Sequence, residues 1–368
     1  MGGTGPGVFF EMAFQAGTEM RRIVIDHGSS TLKAGAAGDD VPSYVKNEQD
    51  LKDYDVPFPI KRGAVTDWDA LALTWRHMFC DIDDFECLAL MVADAPLTSR
   101  ADRERMVQVM FDVFELPAAY IQNAATLSLV CCGQISEAAC VISSGGGVTT
   151  TVAVHKGYAV PDTTECLDVA GEDLTDFMVQ MLTKRGKLNN TTPSQAHEIA
   201  RDIKEKLAHV DEFRTHNFTQ IQDYSDYQRG RTYTLPDGGT IQVGDELIRC
   251  AEALFEPSRV GRSGRGIGEC GMETINKCDI SFRHELFGNL VLAGGSTLFP
   301  GFATRTQHEI ESRGPSGPKF SVNAIPERKD SAWMGGSILA SLSTFPQCWI
   351  TRDEFMEVGP SIVHSKCF

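Results

Sequence analysis

Three short turns in this sequence carry the residue types that wrap phosphates: glycines and small hydroxyl side chains set between stretches that read as β-strands. The fullest lies in CVISSGGGVTTTVAVHKGYAVP, Cys140 to Pro161, a strand, a glycine turn at Ser143 to Gly147 and a second strand. Glycine lets the backbone approach an anion closely. A phosphate loop that also works with Mg²⁺ needs carboxylates for the metal's water shell, and this stretch has none before Lys156. The question it poses is what such a turn does without them.

The elements that must position the turns follow from hydrophobic pattern. RRIVIDHGSSTLKAGAAGDD gives a buried strand, a small-residue turn at His27 to Ser30 and a second strand, and the Cys140 stretch repeats that plan roughly a hundred residues later. The repetition is consistent with a duplicated architecture holding a phosphate site between its halves, and equally with two unrelated hairpins in a mixed sheet. NLVLAGGSTLFPGFATRTQHEI reads as strand, glycine turn and helix, which can present N–H groups at a helix N-terminus. Helical spacing predicts helices in DRERMVQVMFDVFEL, PAAYIQNAATLSLVCCG, DVAGEDLTDFMVQMLTKRG and PSQAHEIARDIKEKLAHV. FRTHNFTQIQDYSDYQRG reads as a polar irregular insertion, followed by the hairpin YTLPDGGTIQV.

Composition narrows the class. At 368 residues the chain is long enough for two domains, and no apolar run approaches the ~20 residues of a membrane helix. The formal charge of −16 argues against nucleic acid as the main partner, since that binding needs a basic surface. Residues 1–20 have no basic side chain before Arg21, unlike a signal or transit peptide, and Pro6 breaks the myristoylation pattern. They read as a flexible extension of a cytosolic or nuclear protein, with Val8, Phe9, Phe10, Met12 and Phe14 as an apolar cluster. Eleven cysteines without a C-x-x-C pair suggest reduced thiols and no metal site.

Four further stretches point to a family. GGSILASLSTF (Gly335 to Phe345), GPSIVHSKCF (Gly359 to Phe368), RDIKEKL (Arg201 to Leu207) and AGGSTLFPGF (Ala293 to Phe302), together with the contexts of Trp68, Trp75, Trp333 and Trp349, resemble actin and the actin-related proteins from about Ile23 to the C-terminus. The resemblance implies the α/β fold shared by actin, Hsp70 and sugar kinases: duplicated domains around a nucleotide cleft, each with a peripheral subdomain. On that basis an outer domain takes residues 21–142 and 330–368, with its peripheral subdomain truncated at 43–56. An inner domain takes 143–329, with a peripheral insertion near 190–250.

Carried over residue by residue, the resemblance assigns nucleotide contacts to Asp26, Gly28, Ser29, Ser30 and Lys33 in the first turn and to Ser144, Gly145, Gly146 and Gly147 in the second. Lys204 and Glu205 fall by the base, Asp168 and Gly171 by the ribose, Gly294, Gly295 and Ser296 along the adenosine, and Lys329 behind the adenine. The catalytic positions differ. Family members carry aspartates where this chain has Ser143 and Gly146, and a water-positioning glutamine where it has Ala124, although a two-residue slip would offer Gln122. Losing these groups predicts no efficient ATPase. ATP or ADP is then expected as a structural ligand, and Asp26 alone is poor support for hydrated Mg²⁺. His27 is either a phosphate contact or a satisfied turn histidine.

The surfaces differ as well. Ser43 to Val56 replaces the subdomain whose loop docks onto a neighbouring actin, so the chain is expected not to form conventional filaments. Where actin has an apolar plug, EPSRVGRSGRGIG brings Arg259, Arg262 and Arg265, read as a solvated loop or a basic finger for an acidic partner. Val130, Gly133, Ile135, Tyr158, Leu339, Leu342 and Thr344 match the family's hydrophobic cleft, which suits an amphipathic helix or docking loop. The resulting expectation is a scaffolding actin-related protein of the cytoplasm and cytoskeleton, or of the nucleus, within a cytoskeletal, axonemal or remodelling complex. A polymerising ATP-hydrolysing actin is the alternative; a sugar or acetate kinase would need a catalytic carboxylate in the cleft and a substrate pocket, and the actin-like stretches at the C-terminus argue against it.

Overall fold

The structure is a computed structural model that describes residues 20–52, 54–80, 88–134, 138–189, 191–212 and 231–367. The N-terminal cluster Val8 to Phe14, Ile135 and the polar insertion 213–230 lie outside the described residues. The chain forms two compact units, Met1–Ala138 with Val154–Pro161 and Asp330–Phe368, and Ala139–Ala153 with Asp162–Lys329. The first crossing thus precedes the strand that leads into the glycine turn, rather than falling inside it between 142 and 143.

In the first unit, strands β1 (Arg21–His27), β2 (Thr31–Ala36) and β3 (Tyr44–Asn47) form a meander, with α1 (Glu48–Lys52) after it and a small hairpin of β4 (Ile60–Lys61) and β5 (Ala64–Val65). Helix α2 (Trp68–Phe79), β6 (Leu88–Asp94), α3 (Arg100–Gln108), β7 (Ala118–Asn123) and α4 (Ala124–Cys131) follow. The sheet runs β16-β7-β6-β1-β2-β3, where β16 is Ile350–Thr351 from the C-terminal region. β1, β6 and β7 are parallel neighbours. Parallel strands covered on both faces read as unbroken apolar runs, and Leu88–Asp94 is buried at every residue.

One cover is α11 (Ser331–Ser341), whose Trp333 is fully buried and donates its indole N–H to the carbonyl of Val24 at 3.0 Å. It crosses α4 at backbone contact: a Cβ on Gly335 would lie 1.8 Å from the carbonyl oxygen of Leu127. Only glycine allows that approach. The same core takes in Leu71, Trp75, Met78 and Phe79 of α2, which Asp67 caps by accepting from the amide of Ala70.

Two segments depart from the sequence reading. PAAYIQNAATLSLVCCG, expected as one helix, is β7 followed by α4, because its first half pairs residue by residue with β6 and is buried there. Small residues satisfy either element, and the partner strand decides. Ser43 to Val56, expected as a bare connector, supplies the edge strand β3 and the short α1, whose Leu51 is fully buried. Asn47 starts that helix: its side chain accepts from the amides of Gln49 and Asp50 while the Asp50 carboxylate accepts from the amide of Asn47. The predicted helix at Asp102 to Leu116 is α3, continued by one π-helical turn at Val109–Val113.

The second unit repeats the plan. β8 (Ala139–Ser144) and β9 (Thr149–His155) flank the glycine turn. The tail of β9 belongs to the first unit and pairs there with β10 (Tyr158–Ala159). β11 (Glu165–Leu167) pairs with β9, and helices α5 (Gly171–Lys184) and α6 (Pro193–Leu207) follow. The hairpin β12 (Arg231–Thr234) and β13 (Thr240–Val243) forms as its Asp-Gly turn predicts, before α7 (Glu246–Glu252), α8 (Ile267–Lys277) and α9 (Ile280–Gly288). β14 (Leu290–Ala293), α10 (Phe302–Glu311) and β15 (Val322–Asn323) complete the unit. The order β9-β8-β14-β15, with β8, β14 and β15 parallel, matches β2-β1-β6-β7 of the first unit. The chain ends in the first unit with α12 (Arg352–Val358) and α13 (Val363–Lys366).

Among the described residues every cysteine is a free thiol, and no helix is long and apolar enough to cross a membrane.

Candidate functional site

The two hairpin turns close in the same way. The amide of Gly28 donates to the carbonyl of Thr31 at 2.9 Å, and that of Gly145 to the carbonyl of Val148 at 3.0 Å. Each therefore sits at the end of the central strand of its own sheet.

In the first unit the turn is followed by Lys33, which faces Asp26 across the β1–β2 pairing. Its Nζ lies 3.0 Å from Asp26 Oδ2 and 3.2 Å from Asp330 Oδ1, with the side chain only 6% exposed. Burial alone would lower the lysine pKa, but the two carboxylates outweigh it and hold the group above its ordinary value. Ser29 Oγ accepts from the amide of Gly63 at 2.8 Å. His27 turns inward: Trp75 Nε1 donates to its Nδ1 at 3.2 Å, and Phe58 packs edge-on at 5.2 Å. The proton is thereby placed on Nε2, which has no partner among the described residues, and burial pushes the pKa down to about 3. Of the two readings of His27, the structure supports a neutral turn histidine held by the core.

In the second unit three glycine-bearing elements converge. The amides of Gly171 and Glu172, at the start of α5, donate to the carbonyls of Gly145 and Gly146 at 3.0 and 2.8 Å. Ser296 Oγ donates to the same Gly145 carbonyl at 3.0 Å. A Cβ on Gly171 would meet Ser296 Oγ at 2.8 Å, and one on Gly294, whose φ is +83°, would meet the carbonyl oxygen of Ser144 at 2.4 Å. Lys204, buried on α6, donates to the carbonyl of Gly171 and to Thr175 Oγ1, both at 2.9 Å. Burial lowers its pKa. Ser144 Oγ pairs with Thr149 Oγ1 at 2.8 Å, Gly147 is buried, and the stem of Lys329 runs beside Gly295, 3.6 Å from where its Cβ would be. Glu205, one position after Lys204, is exposed.

The catalytic positions lie as follows. Ser143 is on β8 opposite Ala293 of β14, and Gly146 is in the turn with its carbonyl bonded to α5. Ala124 opens α4 in the first unit, behind the cap of Asn123, whose side chain accepts from the amide of Ala125. Gln122, the residue a two-step slip would bring in, is buried in β7 with Oε1 accepting from the amide of Asn123 at 2.8 Å. The second turn has no carboxylate, and Asp26 pairs with Lys33. Lys33, Lys204 and the first two amides of α5 all have acceptors within their own unit.

The arginines of the loop pair within their own unit. Arg259 pairs with Glu256 at 2.6 Å, Arg265 with Glu165 at 2.5 Å, and Arg262 with both Asp168 and Asp173 at 3.3 Å. All three guanidinium groups pair with carboxylates of the second unit. Asp168, assigned to the ribose by resemblance, is thus engaged by a residue the sequence placed elsewhere.

The partner-cleft residues described all belong to the first unit. Tyr158 and Leu342 are about half exposed, at 56% and 45%, Thr344 is exposed, and Gly133 is in the left-handed region with no atom within 4 Å of its Cβ position. Leu339 is partly buried against the core, and Val130 is buried, so the latter packs rather than widens the surface. Ile135 lies outside the described residues. Ile338, exposed on the same helix α11, was missed from the sequence.

Two units with a repeated hairpin-and-parallel-strand plan, each carrying a glycine turn at the end of its central strand, define a duplicated α/β fold. A sequence model of the family Actin matches residues 17–368, and the chain belongs to the actin family.

Proposed function

We propose that this actin-family protein is a scaffolding member that holds a purine nucleotide or nucleoside without hydrolysing it efficiently and does not form conventional actin filaments. The observation that carries this reading is the second turn. It has no carboxylate at Ser143 or Gly146, and its carbonyls are tied down by α5 and Ser296. Phosphoryl transfer depends on metal, water positioning and charge compensation, and the residues that would supply the first two are absent from the matching positions. By the family resemblance, Gly171, Gly294, Gly295, Ser296, Lys204 and Lys329 of the second unit would hold the adenosine, and Lys33 of the first unit would meet phosphate. The exposed Tyr158, Ile338 and Leu342 support docking of an amphipathic helix from a partner in a cytoskeletal or related assembly. The short edge segment of β3 and α1 offers no room for a long docking loop, which supports the loss of filament growth.

The deciding experiment is the nucleotide content of protein purified without added ATP, followed by incubation with Mg²⁺ and sedimentation. Bound nucleotide that stays uncleaved, with no pelleted polymer, is the expected result. Phosphate release with a sedimenting polymer would overturn the proposal in favour of a hydrolysing, polymerising actin.

A further inference from the structure

The Lys33 ammonium lies between carboxylates of different origin. Asp26 is its cross-strand neighbour, a pairing fixed by the hairpin itself. Asp330 arrives from the far end of the chain, as the first residue after the return to the first unit and as the N-cap of α11. Aspartate is a favoured N-cap residue because its carboxylate accepts from the first-turn amides. Here that side chain makes no cap hydrogen bond. It lies instead 3.2 Å from Lys33 Nζ, leaving the trio of Lys33, Asp26 and Asp330 with a net negative charge.

We propose that Asp330 is an internal anion that competes with nucleotide phosphates for Lys33, making it a selectivity residue that disfavours triphosphates relative to the bare nucleoside. This rests on the reading that the first turn faces a nucleotide. Two effects act in the same direction: the Asp330 carboxylate engages the ammonium that a phosphate would use, and its charge repels the phosphate.

The test uses the full chain and titration calorimetry in metal-free buffer with EDTA, with adenosine and ATP as separate probes. Asp330→Asn keeps the size and the N-cap aptitude of the residue while removing its charge. Asp330→Glu keeps the charge. The expected result is that Asp330→Asn binds ATP about tenfold more tightly, adenosine stays within a factor of two, and Asp330→Glu resembles the parent. Adenosine binding also reports that each variant is folded. Equal ATP affinity in parent and Asp330→Asn, with adenosine bound by both, would overturn the role of Asp330 and leave the nucleotide reading intact. Joint loss of adenosine and ATP in Asp330→Asn alone would mark a structural residue and overturn it too. Binding of neither probe by any form would overturn the nucleotide reading itself.

Discussion

Replacing Gly171 with alanine puts the convergence of the three glycine elements to a direct test. By helix propensity alone this change should stabilise, since alanine in a helix gains up to ~1 kcal/mol over glycine. The packing argues the opposite. The new methyl would lie 2.8 Å from Ser296 Oγ, 3.0 Å from the Gly145 carbonyl oxygen and 3.3 Å from the Gly146 Cα. Two of those contacts are backbone, so the start of α5 must retreat, stretching the bonds from Gly171 and Glu172 to the turn. Overpacking costs ~1–3 kcal/mol and two weakened hydrogen bonds about 1 kcal/mol each. Set against the propensity gain, the net loss is about 3 kcal/mol, or a melting temperature lower by about 6–12 °C in a unit of this size. Calorimetric melting measures it, with Gly133→Ala as the control. Gly133 has φ +72° but nothing within 4 Å of its Cβ position, so the control loses only about 1 kcal/mol to backbone strain. If Gly171→Ala melts at or above the parent, the turn and the helix are not in contact and the cluster argument fails.

Three further outcomes follow from the same geometry. His27 stays neutral in the folded protein down to about pH 3 but protonates near 6.5 when unfolded, so its contribution is complete above 6.5 and lost as pH falls towards 3. Urea unfolding at a series of pH values should show a slope of about 1.4 kcal/mol per unit across that window, and His27→Gln should flatten it. An unchanged slope in the variant refutes the assignment. Arg262→Ala, which removes one ion pair from an exposed Asp168, should change stability by less than about 1 kcal/mol and tighten adenosine binding a few-fold in calorimetry; a large drop in stability would show that the pair is structural. Tyr158→Ser with Leu342→Ser alters two half-exposed side chains, so melting should move by no more than about 2 °C while retention on a phenyl column falls. Unchanged retention would mean that the apolar surface lies elsewhere.

How much of this was legible in the sequence depended on the range over which each feature is decided. The strands at Ile23 and Val141 and the turns that follow them are written locally, in apolar runs broken by glycine, and they appear where the pattern puts them. The segment Ala118 to Asn123 was not legible as a strand, because alanine-rich sequence suits either element and only pairing with β6 makes the choice. Likewise Ser43 to Val56 looked too polar for a sheet, yet an edge strand needs only one paired side. At the site, Lys33, Gly171 and Lys204 were identifiable as residue types, whereas what they bond to was not. Asp330 and Arg262 reach their partners across long stretches of chain, and charge pairing at that distance leaves no periodic trace.

The discontinuity of the first unit has a bearing on synthesis. Strand β1 is made at residues 21–27, but the helix that covers it, with Trp333 on the carbonyl of Val24, is encoded at residues 331–341. At ribosomal rates of ~5–20 residues per second, the nascent sheet waits roughly 15–60 s for its lid. The second unit, whose residues end at Lys329, has its full complement before the first does. The order of emergence is therefore not the order of completion, and a premature stop shortly before Trp333 would release a chain whose later-born half can fold while its earlier-born half presents Val24, Met91 and Leu127 to the surrounding solution.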